Sequence, residues 1–257
     1  MIHPSAIIDP KAELADDVSV GAYSVIGADV RIDSGTKIGP HVVIEGPTTI
    51  GKHNTIYQYA SLGAAPQDKK YAGEETWLHI GDHNTIREFC TFNRGTVQDG
   101  GTTVVGSNNW IMAYVHIAHD CVIGNHTIFA NNASLAGHVH IDDYVVLGGY
   151  ALVYQFVHIG RLAICAFSSG VKQNVPPYAM VAGMPAKAAG LNLEGMKRQG
   201  FESSEVNAIK AAHKLIYRDG LLLKDARLAV NELAKEAPVV QCIADFIAET
   251  GKRGLIR

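Results

Sequence analysis

A six-residue rhythm of apolar residues runs through most of this chain and leaves few folds open to it. From Ile8, each sixth position is aliphatic: Ile8, Leu14, Val20, Ile26, Ile32, Ile38, Ile44, Ile50, Ile56 and Leu62. The beat returns at Ile80, Ile86 and Phe92. One residue out of phase, it then runs through Val105, Ile111, Ile117, Ile123, Phe129, Leu135, Ile141, Leu147, Val153, Ile159, Cys165 and Val171. With 47% of all residues apolar, so long an unbroken series marks a repeat architecture rather than chance. A period of six is neither that of a helix nor that of a plain strand. The unit is therefore a short strand plus a corner, with the beat residue always turned the same way.

Two further regularities describe the unit. Glycine often follows the beat, as at Gly21, Gly27, Gly39, Gly51, Gly81, Gly106, Gly124, Gly148 and Gly160, where a corner is expected to need permissive dihedrals. Four residues after the beat stand small or β-branched residues such as Val18, Ser24, Val42, Ala60, Val115, Cys121, Ala133 and Ala151. Two inward positions per hexapeptide would fill a narrow prism, in which a larger second residue would collide with the other walls.

The beat stops near Val171, and VPPYAMVAGMPAKAAG should close the prism. From Leu191 the period becomes helical. SSEVNAIKAAHKLIYRDG opens with capping candidates Ser203 and Ser204, carries Val206, Ile209, Ala212, His213 and Ile216 on one stripe, and ends at Gly220. Further helices are expected over about 223–236 and 238–249. The domain reading is a β-helix over 1–190 and a helical domain over 191–257. Loops are expected near 63–79, where Asp68 and Glu74 occupy beat positions, and near 93–104, where the phase slips. Long loops on a rigid solenoid are where binding residues gather.

Composition narrows the function. A formal charge of −3 gives no nucleic-acid or membrane footprint. The start MIHPSAIIDP lacks a signal-peptide pattern, and no apolar run reaches the length of a membrane span. A cytoplasmic location is therefore expected. Cys90, Cys121, Cys165 and Cys242 are scattered without a C-x-x-C, which reads as core packing rather than redox or zinc chemistry, and no metal is expected.

The chemistry-bearing stretch is VHIAHDCVIG. His119 and Asp120 follow the beat Ile117 by two and three residues, which places them at an outward corner. A coil of three hexapeptides stacks Asp120 beside His138, His119 beside Gly137, and Gln155 one coil further on. An imidazole oriented by a carboxylate takes a proton from a substrate hydroxyl. No nucleophilic Ser or Cys stands at a comparable position, so direct transfer to the acceptor is expected.

The segments QDKKYAG, RGT, HIAHDC, ANNASLAGHV, NVPPYAM, NLEGMKRQGF and RGLIR resemble the UDP-N-acetylglucosamine O-acyltransferases, cytoplasmic enzymes that begin lipid A synthesis. The resemblance covers essentially the whole chain, helical tail included. It implies a homotrimer of left-handed parallel β-helices with clefts between subunits. An acyl group, usually 3-hydroxylated, would pass from acyl carrier protein to the glucosamine 3-hydroxyl. No cofactor is implied beyond the carrier's phosphopantetheine. By matching motif, His119 would be the general base, Asp120 its orienting partner and the Gly137 N–H the oxyanion donor. Asp68 and Lys70 would hold the sugar and nucleotide end, while His116, His138 and Gln155 line the site. Asn192, Glu194 and Arg198 would reach the uridine and phosphate region. Basic residues of the tail, Lys197, Arg198, Lys210, Lys214, Arg218, Lys252 and Arg253, would face the acidic carrier protein.

The chain departs from the family pattern at four places. Phe92 and Asn93 precede RGT, Tyr154 opens YQF, and Gln199 stands where a second Arg is common. These three bear on the sugar end and leave a 3-amino UDP-sugar as an alternative acceptor. Phe167 replaces a Gly that floors the acyl groove of long-chain members, so a donor of about ten carbons is expected. The rival readings are a trimeric zinc hydratase, the N-acyltransferase of the same pathway, a CoA-dependent acetyltransferase and a non-catalytic hexapeptide protein. Metal content separates the first. The second carries an extra N-terminal domain, and the third lacks QDKKYAG and RGLIR. The last leaves the His119–Asp120 pair unexplained.

Overall fold

Successive beats stack because each parallel strand lasts only two to four residues before the chain bends, so its inward side chains meet those of the next coil. The computed structural model describes residues 1–257, the side chain of Lys252 excepted. It is a left-handed parallel β-helix followed by a helical tail. The first wall holds nine strands, from Ile7–Ile8 to Gly170–Val171, and the second eight, from Glu13–Leu14 to His158–Ile159. The third holds ten, nine parallel from Ser19–Val20 to Ala179–Ala182 and Lys187–Leu191 added antiparallel at its end. Ile26, Ile44, Leu62, Phe92, Ile117 and Leu135 pair in register up the first wall. They form the buried core together with the residues four after each beat.

Inside the prism the small polar residues are matched to backbone. Asn54, Asn84 and Asn109 form a buried ladder: Asn54 Nδ2 donates to Gly81 O at 2.8 Å, Asn84 Nδ2 to Gly106 O at 2.9 Å, and Asn109 Nδ2 to Gly124 O at 3.0 Å. Each side-chain oxygen takes a backbone N–H of the next coil. Buried amides so paired add no desolvation cost and lock register.

The glycines after the beat serve a different purpose from the expected one. The left-handed residue of each corner is the third after the beat, and it is seldom glycine: Tyr114, Asp120, His138, Tyr150 and Phe156 have φ of 64°, 60°, 63°, 57° and 61°. The glycine is needed for close approach. A Cβ on Gly106 would stand 2.5 Å from Gly124 O, and one on Gly160 2.5 Å from Pro177 N, so backbone of the next coil takes the space a side chain would fill.

Most coils repeat at 18 residues, but the coils that carry loops are longer, as where Ile50 pairs with Ile80 and Phe92 with Ile117. The surplus residues leave as two loops, 65–76 and 94–101, both shorter than expected because Trp77 and Thr102 already begin strands. Both emerge between the first and second walls.

The prism also runs past Val171. Val175 bridges to Ile159, and Ala179–Ala182 pairs in parallel with Ile164–Cys165. The tail comprises α1 (Leu193–Arg198), α2 (Ser203–Tyr217), α3 (Leu223–Glu236) and α4 (Gln241–Ala248). Ser203 and Ser204 do not cap α2; Glu202 precedes it, its N–H accepted by the Glu205 carboxylate at 2.8 Å, and the helix stops at Tyr217. The tail is not simply appended. Ile256 joins the prism core, and Asn174 ties Gly254 and Ile256 to the last coil at 3.0 and 2.9 Å. No helix among the described residues is long and apolar enough to cross a membrane.

Candidate active site

The corner between the first and second walls carries the site. His116 lies on the strand His116–Ile117, its Nδ1 2.7 Å from Thr91 Oγ1. Burial lowers its pKa, so the ring is neutral at pH 7. Three residues after Ile117 the chain turns at Asp120, and His119 and Asp120 project where the 94–101 loop folds over them.

Asp120 does not face out as its corner position suggests. It is only 4% exposed. Thr96 N donates to its Oδ1 at 2.7 Å and Thr96 Oγ1 to its Oδ2 at 2.6 Å, while Asp120 N donates to Thr103 Oγ1 at 2.8 Å. The same Oδ2 stands 2.8 Å from His119 Nδ1. Burial pushes the carboxyl up, but the hydrogen bonds from His119 and Thr96 outweigh it and hold the group below its ordinary range. A carboxylate so fixed accepts the Nδ1–H of His119, and Nε2 is left as the free base.

His119 is largely covered by its neighbours, its side chain 14% exposed. Its ring lies over Gly137, where a Cβ would stand 2.5 Å from Cε1 and 2.7 Å from Nε2, so only glycine fits beneath the imidazole. The Gly137 N–H has no acceptor among the described residues. His138 meets His119 edge-on at 5.0 Å, stacks on Phe156 at 4.4 Å, and has its Nδ1 2.7 Å from Asp99 Oδ2. Gln155 is exposed on the adjoining coil.

Asp68 and Lys70 lie on the 65–76 loop at this same corner; Asp68 Oδ1 accepts the Lys70 N–H at 3.0 Å, which leaves the ammonium group exposed. Arg94 ties the two loops, donating to Gly63 O and, at 3.3 Å, to Tyr71 Oη. The tail residues are not brought here. Glu194 and Arg198 pair with each other on α1 at 3.0 Å, and no hydrogen bond or ion pair among the described residues links them to His119. Asn192 is not free to reach a ligand: its Oδ1 caps α1 at Gly195 N and its Nδ2 donates to Leu162 O, both at 2.8 Å. Phe167 projects from the corner between the third and first walls, 70% exposed, with Tyr150 edge-on at 5.9 Å. The basic residues divide. Lys210, Lys214 and Arg218 line one recess of the tail, whereas Arg253 stacks over Tyr154 at 4.6 Å, and the Lys252 side chain is outside the described residues.

Thr96, Asp99 and Thr103 escaped the sequence reading, although the RGT segment contained the first of them. Cys121 and Cys165 are buried and pushed up to about 12, so neither is a nucleophile. The ligating atoms of His119, Asp120 and His138 lie within 4.8 Å of one another. Both Asp120 oxygens and the His138 Nδ1 already have partners, however, which suits proton transfer better than chelation.

Residues 102–137 match the bacterial transferase hexapeptide model, and 174–256 match the second domain of UDP-N-acetylglucosamine O-acyltransferase. The chain is 59% identical to the acyl-[acyl-carrier-protein]–UDP-N-acetylglucosamine O-acyltransferase of Herminiimonas arsenicoxydans, and 56% identical to that of Neisseria gonorrhoeae. Each match covers 100% of this chain and 99% of the relative. Among solved structures, UDP-N-acetylglucosamine O-acyltransferase from Moraxella catarrhalis superposes with a TM-score of 0.97 at 46% identity, covering 100% of this chain and 99% of that one. The Francisella novicida UDP-N-acetylglucosamine acyltransferase gives 0.98 at 43%, covering 100% and 94%.

Proposed function

This chain belongs to the acyl-[acyl-carrier-protein]–UDP-N-acetylglucosamine O-acyltransferase family, and from that premise we propose that it moves an acyl group from acyl carrier protein to the 3-hydroxyl of UDP-N-acetylglucosamine, the first step of lipid A synthesis, in the cytoplasm. The observation that carries the mechanism is the His119–Asp120 pair at 2.8 Å, seated on Gly137. His119 Nε2 takes the proton of the sugar hydroxyl as its oxygen bonds to the thioester carbonyl carbon. Asp120 holds the imidazolium. The tetrahedral oxyanion is received by the Gly137 N–H, and its collapse breaks the C–S bond. The departing phosphopantetheine sulfur recovers the proton from His119. No other cofactor enters.

His116, His138, Gln155, Asp68 and Lys70 line or approach the same corner and would orient the sugar nucleotide. Since Glu194 and Arg198 stand away from His119 within one chain, they would serve a neighbour's site in a homotrimer, whose cleft each prism completes for the next. Lys210, Lys214 and Arg218 would receive the acidic carrier protein; screening then raises KM for the thioester with salt. Phe167 would shorten the acyl groove. The deciding assay supplies the purified protein with UDP-N-acetylglucosamine or its 3-amino analogue and a series of acyl carrier protein thioesters. Product is expected with the 3-hydroxy sugar; turnover confined to the 3-amino sugar, or to acyl-CoA, overturns the assignment.

A further inference from the structure

Outside the catalytic corner, the second wall presents an imidazole pair that the acyl-transfer reaction does not use. His140 and His158 are register partners on the adjacent strands His140–Ile141 and His158–Ile159, and their rings lie 4.5 Å apart. The spacing is that of neighbouring strands, so it is fixed by the backbone rather than by the side chains. Both rings turn the same nitrogen toward one oxygen. His158 Nε2 is 2.8 Å and His140 Nε2 3.8 Å from Asp142 Oδ1. The second oxygen, Oδ2, is steadied by the Arg161 backbone N–H at 3.2 Å.

Asp142 Oδ1 satisfies His158 alone. His140 Nε2 has no hydrogen-bond partner among the described residues, although it converges on the same point. Three ligating atoms, one from each residue, lie within 4.8 Å of one another. Two imidazoles and a carboxylate at this spacing are the donor set of a tetrahedral divalent ion with bonds of about 2.0–2.2 Å and one position left to solvent.

The set differs from His119, Asp120 and His138 in that His140 Nε2 is unpartnered among the described residues, whereas both Asp120 oxygens and the His138 Nδ1 are engaged by Thr96, His119 and Asp99. Its surroundings add no competing thiol. Cys242 lines the same recess, but its Sγ lies 3.1 Å from Tyr178 Oη. From these observations we infer that His140, Asp142 and His158 form a binding site for a divalent transition-metal ion such as Zn²⁺. The ion would clip two consecutive coils together where α4 lands, because His158 also packs on Phe246 at 4.5 Å.

The test uses full-length protein stripped by chelator and titrated with Zn²⁺ by calorimetry and with Co²⁺ by visible absorption, in the wild type, His140→Gln, His158→Gln and His119→Ala. One ion per chain is expected in the wild type and in His119→Ala, with a rise in Tm on loading. Affinity should fall by at least about tenfold in His140→Gln and in His158→Gln. Acyl transfer by His140→Gln should match the wild type, which also shows that this variant folds. Absence of binding at millimolar metal in the wild type overturns the site. So does binding that His119→Ala abolishes and His140→Gln retains, since the ion would then belong to the catalytic corner.

Discussion

The third residue after the beat repeats around the prism with nearly the same backbone, yet two of its edges have become different objects. Between the third and first walls it reads Tyr23, His41, Tyr59, Phe89 and Tyr114, whose rings stack in series at 5.3, 5.2, 5.0 and 4.8 Å. Between the first and second walls the same position reads Asp120, His138 and Phe156, with φ of 60°, 63° and 61° against 64° at Tyr114. The backbone therefore does not distinguish a packing ladder from a catalytic edge. The loops do: 65–76 and 94–101 leave the repeat at the second edge, and Thr96 and Asp99 bind Asp120 and His138. Chemistry sits where the repeat is broken.

The largest effect should come from the catalytic edge itself. His119→Ala removes the base and should lower kcat by about 10^2 to 10^4, with the oligomer unchanged by sedimentation. Asp120→Asn keeps the left-handed turn, which asparagine tolerates, but leaves His119 Nδ1 beside a neutral amide. A comparable loss is expected, with little change in KM. Retention of more than about a tenth of wild-type kcat in either variant would remove the pair from the proton path.

Next in size is acyl selection, which tests whether the ladder-side corner has any role in the reaction. Phe167 projects at that corner, and a phenyl ring in the acyl path displaces several methylenes at about 0.8 kcal/mol each. Overpacking by 1–3 kcal/mol corresponds to a preference of about five- to 150-fold for a ten-carbon over a fourteen-carbon 3-hydroxyacyl thioester. Phe167→Gly should move the optimum upward in a competition assay. A wild-type preference for fourteen carbons, or an unshifted glycine variant, would place the ruler elsewhere.

Thr96→Val probes the loop that separates the edges. Losing a hydroxyl that bonds a buried carboxylate costs about 1.5–3 kcal/mol. The folded Asp120 carboxyl lies below its ordinary value of 3.8, so the unfolded chain binds more protons in acid. The stabilisation is present above about pH 4 and vanishes as pH falls through the folded value. The difference in Tm between wild type and variant should thus be widest near neutrality and close in acid. A gap that stays constant down to pH 3 would assign the loss to packing rather than to the carboxylate.

The beat made the prism legible because burial of one residue in six is a strong periodic demand that no loop can imitate. The His119–Asp120 pair was legible for the same reason, since coil stacking converts sequence offset into neighbourhood. What stayed hidden depends on backbone proximity or on irregular chain. Gly106 and Gly160 are set by carbonyl and proline atoms of the next coil, not by their own dihedrals. Asp120 is buried by a loop whose path no period describes. Asn192 looks like a ligand-reaching amide in a motif, but its side chain is consumed by a helix cap and by Leu162 O, contacts visible only once α1 meets the last coil.

The smallest expected effect is on the packing edge, and it completes the comparison. Phe89 stacks between Tyr59 at 5.0 Å and Tyr114 at 4.8 Å, the latter rings only 8° from parallel. Each aromatic pair contributes about 0.5–1.5 kcal/mol beyond its buried area. Phe89→Asn removes both stacks but relieves a left-handed turn, which asparagine adopts more readily than phenylalanine. The two terms oppose, and a net loss of about 1 kcal/mol should lower Tm by about 2–4 °C. Acyl transfer should be unaltered, because Phe89 lies several coils from Phe167 and at a different edge from the two loops. Asp120→Asn, the same substitution product at the same repeat position one edge away, should show the reverse: a large loss of kcat. Were Phe89→Asn to lower kcat as severely as Asp120→Asn, the edges would be coupled through the coils, and the division of the prism into a packing edge and a working edge would fail.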